Sequence, residues 1–97
     1  MTNSKFITTQ NKGFQMTYEN GWTISVQWGT FNYCSRKTFD VVIPMSEMRE
    51  DLVTSPDCEI AIWDKNNVWY DFGTDQVKGY CNTDEVAEWI WRVKNFE

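Results

Sequence analysis

The chain reads as an α+β protein: an antiparallel β-sheet built from hairpins and packed by one C-terminal α-helix. Three stretches predict it. Phe14, Met16 and Tyr18 alternate with Gln15 and Thr17. Trp22, Ile24, Val26 and Trp28 alternate with Thr23, Ser25 and Gln27, across the turn residues Asn20 and Gly21. A second pair of β-rich runs, 58–63 and 68–72, flanks Asp64-Lys65-Asn66-Asn67. Near the C-terminus, Val86, Trp89, Ile90, Val93 and Phe96 recur at helical spacing. The first two patterns have the strand period of two and the third that of a helix face. At 97 residues one domain is expected, spanning 1–97 and able to bury a modest core without metal or disulfide staples. Residues 1–12 read as a loosely ordered N-terminus and residues 38–57 as an insertion.

The elements follow in chain order. Lys5–Thr8 is a short strand in an otherwise polar start. In the hairpin from Phe14 to Trp28, a two-residue Asn20-Gly21 loop would set Met16 against Ser25 and mix the faces. A three-residue Glu19-Asn20-Gly21 loop pairs Met16 with Ile24 and Phe14 with Val26, and it requires Gly21 to be left-handed. Gly29–Lys37 is a loop carrying Tyr33 and Cys34. Phe39–Ile43 reads as a strand that Pro44 ends, and Met45–Val53 as a short helix. The hairpin around residue 65 poses the same choice of register. A three-residue Lys65-Asn66-Asn67 loop puts Ile62 opposite Tyr70, Ile60 opposite Phe72 and Trp63 opposite Trp69, with Asn67 left-handed. Gln76–Cys81 is a further strand. Asn82 caps a helix over Thr83–Asn95, with Glu85 as its capping-box partner. Ala87 and Trp91 widen the apolar stripe.

Charge narrows the partners. The net charge is -5, and residues 47–97 hold 5 basic against 12 acidic residues, a balance of -7. Such a surface repels nucleic acid and anionic membrane and attracts basic protein surfaces. Neither direct nucleic-acid binding nor membrane binding is expected. Met1 leads into Thr-Asn-Ser-Lys with no apolar segment behind it, so no secretory leader is expected and the cytoplasm of a host cell is the predicted location.

Chemistry-bearing motifs are sparse. The chain has no His and 3 Cys, none in a C-x-x-C pair, so Cys34, Cys58 and Cys81 are expected to be reduced, metal-free and non-catalytic. Asp64, Asn66, Asp71 and Asp75 loosely echo a calcium loop, but Trp69 stands where Gly is required and Val68 where a ligand is required. Turn formation explains the same letters. No phosphate loop or serine elbow is present, and neither catalysis nor a cofactor is expected. The remaining feature is an acidic, aromatic surface. Trp63 and Trp69 fall on the face away from Ile60 and Ile62, flanked by Glu59, Asp64 and Asp71, and Tyr33 stands in a nearby loop. These six residues are the predicted protein-binding site.

The runs Phe14–Trp28 and Asn32-Tyr33-Cys34, with Glu59 through Gly79-Tyr80-Cys81-Asn82 and the helix, resemble small proteins found in tailed phages and prophages. The resemblance covers about two-thirds of the chain and carries over no active-site residue. It implies a non-catalytic inhibitor of the anti-CRISPR or anti-restriction class. Such a protein would block a host protein, in particular a nucleic-acid-binding effector, by occupying its basic groove. The alternatives are a small-molecule or nucleotide-signal binder and an oligomeric structural component.

Overall fold

The computed structural model describes residues 4–9, 12–29, 32–35, 54–73 and 75–97. The strand expected at Phe39–Ile43 and the helix expected at Met45–Val53 lie outside the described residues. Among the described residues, five strands and one helix follow in order: β1 (Lys5–Thr8), β2 (Gly13–Thr17), β3 (Thr23–Gln27), β4 (Cys58–Trp63), β5 (Val77–Cys81) and α1 (Thr83–Lys94). The strands form one sheet in sequence order, and every neighbouring pair is antiparallel. The α+β arrangement expected from the pattern is the one observed.

Both hairpin loops have the predicted length. Tyr18 N–H donates to the Trp22 carbonyl at 2.9 Å, and Gly21 takes a φ of 90°. Met16 therefore opposes Ile24, and Phe14 opposes Val26. In the second hairpin Asp64 N–H donates to Val68 O at 3.0 Å, and Asn67 sits at a φ of 61°. Trp63 bridges Trp69, and Tyr70 N–H donates to Ile62 O at 2.7 Å. In each case the three-residue loop sets the parity, and parity sets the face.

Beyond Tyr70 the outcome departs from the expected hairpin. Asp71, Phe72 and Gly73 leave the ladder, and β5 takes over the edge of β4. Ala61 is opposed by Val77, and Ile60 by Lys78 rather than Phe72. The excursion has a packing reason. It frees Phe72 to meet the Trp89 ring edge-on at 5.0 Å, while Tyr70 stacks on Phe96 at 5.5 Å. Aromatic contact with the helix replaces ladder hydrogen bonds that β5 then supplies.

The helix begins as predicted. Asn82 accepts from Glu85 N–H at 2.9 Å, and the Glu85 carboxylate accepts from Asn82 N–H at 3.3 Å. Val93 is fully buried and joins Ile24, Val26, Ile60 and Ile62 in the core. Val86, Trp89, Ile90 and Phe96 pack around that cluster. Ala87 and Trp91 do not widen the stripe. Both are exposed, Trp91 at 64%, with Lys94 Nζ 5.1 Å from its ring centre. The sheet face is narrower than the stripe a sequence count suggests.

Asn20 ties the far end of the helix to the first hairpin. Its Nδ2 donates to Val93 O at 2.9 Å and Phe96 O at 3.0 Å, and its Oδ1 accepts from Trp22 N–H. Val93 lies in the last turn of the helix and Phe96 just beyond its end, where carbonyls lack the next turn's donors. Asn20→Ala should lower stability by about 1–2 kcal/mol, read as a shift in the urea midpoint. Trp89→Ala should cost about 2 kcal/mol or more, and Trp91→Ala less than about 0.5 kcal/mol. Equal costs for the two Trp changes would contradict the assignment of the buried face.

Candidate functional site

With α1 on the Ile24/Ile62 face, no described helix covers the opposite face of the sheet, the open face. Its side chains come from the odd-numbered residues of β2, β3 and β4. Trp63 and Trp69 stack there, with ring centres 5.3 Å apart and planes 30° apart. They are held by the ladder position they share, which places cross-strand side chains in direct contact. Trp69 remains 43% exposed. Beside them runs a groove of about 230 Å³, lined by Gln15, Ser25, Gln27, Glu59, Ala61, Trp63, Trp69 and Val77. A second depression of about 350 Å³ lies on the other side of Trp63, between Lys5, Thr17, Asp64 and Lys65.

The predicted acidic flank is built differently from expectation. Glu59 faces the groove, and its carboxylate also organises the Tyr33 loop. Oε2 accepts from Tyr33 N–H at 3.0 Å, and Oε1 accepts from Asn32 Nδ2 at 3.3 Å. Asp64 closes the hairpin loop, accepting from Asn66 and Val68 N–H at 2.8 and 3.0 Å. Asp71 sits in the excursion and accepts from Gly73 N–H at 2.7 Å. Val77 occupies the place opposite Ala61 that an uninterrupted hairpin would give to Asp71. The open face thus unites Trp63, Trp69, Glu59 and, at its rim, Asp64, while Asp71 is carried away from the ladder.

Tyr33 arrives by way of its backbone. Its carbonyl accepts from Tyr80 N–H at 2.8 Å, where the ladder shifts register and Tyr80 adopts a φ of 55°. Gly79 makes that approach possible, because a Cβ there would stand 2.6 Å from Tyr33 Cβ. The Tyr33 side chain is half-exposed. Asp57, not singled out by the sequence pattern, completes the anchor by accepting from Ser35 N–H and Oγ, each at 2.6 Å. Nothing in a one-dimensional reading of Ser55-Pro56-Asp57 distinguishes this role from an ordinary turn.

Comparison with protein-family models, with curated proteins and with solved structures gives no match. Among the described residues, no three potential ligands of the His, Cys, Asp or Glu type come together to hold a metal. No described helix is long and apolar enough to cross a membrane.

The three thiols are free and buried. Cys58 and Cys81 are direct partners across β4 and β5, at one wall of an apolar cleft of about 380 Å³ between the sheet and the start of α1. Burial, helped by neighbouring Cys81 and Asp57, pushes the Cys58 thiol up from 9.0 to about 12. Burial also raises Cys81. A thiol that keeps its proton is a poor nucleophile. It also links stability to pH. The unfolded thiol ionises near 9.0 and the folded one near 12, so between those values the unfolded chain binds fewer protons. Stability should then fall as pH rises from about 9 towards 12. Urea midpoints across that range should decline less steeply in Cys58→Ala than in the parent chain. Identical slopes would show that Cys58 does not contribute.

Proposed function

We propose that the chain is a non-catalytic inhibitor of the anti-defence kind. On this reading it binds a basic surface of a host effector, of the anti-CRISPR or anti-restriction class, through the open face of its sheet. The observation that carries the binding surface is the stacked Trp63/Trp69 pair on the face that the helix leaves uncovered. Protein interfaces concentrate their energy in a few aromatic and Arg anchors set beside pockets. Rigid indoles held by a ladder position lose little entropy on binding. The net charge of -5 supports a basic partner, since opposite charge speeds encounter and suppresses wrong partners. The anti-defence class itself rests on the resemblance to small phage proteins.

A small-ligand reading is favoured by one observation, the groove beside the Trp pair. Among the described residues, no Lys or Arg lines that groove, which weighs against nucleotide signals, because their phosphates would lie beside the Glu59 carboxylate.

Phage plating on host cells carrying a CRISPR or restriction system tests the main reading. Expression of the chain should raise plating efficiency on at least one defended host and leave undefended hosts unchanged. Trp63→Ala and Trp69→Ala, folded by circular dichroism, should lose that effect. With a purified effector, either change should weaken binding by about 2 kcal/mol or more, and the parent's association rate should fall with added salt. Unchanged plating across a panel of defended hosts would overturn the inhibitor reading. Full activity in both folded Trp variants would remove the open face from it.

A further inference from the structure

The plan of the open-face groove is set by strand register. Ser25 and Ala61 are direct partners on β3 and β4, and both are short. Gln15 flanks Ser25 on β2, and Val77 flanks Ala61 on β5. On the turn side stand Trp63 and Trp69, and on the other side Gln27 and Glu59, again direct partners. Short residues at the centre and longer ones around them make a depression in the sheet face. Ser25 and Ala61 form its floor, 4% and 8% exposed. Trp63, Ala61 and Glu59 alternate along one strand face, so Glu59 lies about 13 Å along the strand from Trp63. One end is indole, the middle is a small hydroxyl and a methyl with amides beside them, and the other end is a carboxylate. Among the described residues, Glu59 is the only charged one in the lining.

We propose that this groove receives an arginine side chain of a partner protein. The inference rests on the reading of the open face as the binding surface, and it names what that surface recognises. The arginine stem lies over Ala61 and Val77, with the indole pair covering it from the turn side. The guanidinium fork donates to Glu59 and to the Gln27 amide oxygen. Each Glu59 oxygen already accepts one hydrogen bond, from Asn32 or from Tyr33, and each keeps capacity for another. Those two bonds also hold the carboxylate in one orientation, so little ordering remains when the ligand arrives. Arginine fits better than lysine. Its planar group carries a rigid fork matched to a carboxylate and is more weakly hydrated than an ammonium.

Nuclear magnetic resonance titration of the full chain with an acetyl-Gly-Arg-Gly-amide peptide tests this. Parallel titrations use the same peptide with citrulline or lysine in place of arginine. The arginine peptide should shift the Trp63 and Trp69 indole N–H signals and the Ala61 amide saturably. It should bind about tenfold or more tightly than the citrulline peptide, the factor expected for hydrogen bonds to a charged group. The lysine peptide should bind more weakly than the arginine one. Glu59→Gln keeps an acceptor for Tyr33 N–H and should reduce arginine binding to the citrulline level. Ala61→Leu raises the floor without touching the carboxylate and should abolish binding. Equal affinity for arginine and citrulline, tighter binding of lysine, no saturable binding, or unchanged affinity in a folded Ala61→Leu chain would overturn the proposal. Arginine binding by a chain that fails the plating test removes the inhibitor reading alone. Restored plating without arginine binding removes the groove's ligand alone.

Discussion

Parity in two three-residue loops is the constraint on which the rest of this structure depends. Gly21 and Asn67 are the left-handed residues that close them. Because of those loops, Ile24, Val26, Ile60 and Ile62 share the face that α1 covers, and Ser25, Ala61 and Trp63 share the other. A slip of one residue in either hairpin would turn Ser25 or Glu59 into the core and push isoleucines into water. Burying polar groups without partners costs far more than a turn can recover. The buried isoleucines and Val93 therefore enforce the register, and the register in turn creates the groove.

The edge of β4 shows how packing overrides a local pattern. Residues 68–72 have the composition of a strand, yet only the segment at Trp69 and Tyr70 pairs. Tyr70 touches Phe72, Trp89 and Phe96. A straight strand would hold Phe72 at the ladder instead of against Trp89. The excursion keeps the apolar face sealed at the helix end, and β5 restores the lost hydrogen bonds lower down. It also replaces an acid with Val77 in the groove wall, leaving Glu59 as the single charge there among the described residues.

The carboxylates of this surface have local work that a charge count does not show. Asp57, Glu59, Asp64 and Asp71 all accept backbone N–H groups of loops. Such charge-assisted bonds order turns that have few apolar contacts of their own. Long-range attraction to a basic partner survives this arrangement, since an ion that accepts a hydrogen bond keeps its charge. Glu59 alone combines both duties, fixing the Tyr33 loop with one side of its carboxylate and facing the groove.

Much of the molecule was legible in the sequence because its determinants are local. Period-two alternation, Gly21 and Asn67 decided the two hairpins. Asn82 and Glu85 decided where the helix starts, through bonds spanning three residues. The stacking of Trp63 on Trp69 followed from the hairpin register alone. Other features depend on residues far apart in the chain, and these only the tertiary structure decided. The pairing of β3 with β4 joins strands separated by residues 28–57, so the Ser25/Ala61 floor could not be read from either hairpin by itself. Trp91 faces solvent because the sheet is too narrow to cover it, a fact absent from the helical repeat. Asn20 reaches Val93 and Phe96, and Glu59 reaches Asn32 and Tyr33. A side chain's partner across such distances is chosen by which surfaces the buried core brings together, and a single sequence does not encode that choice at any one position.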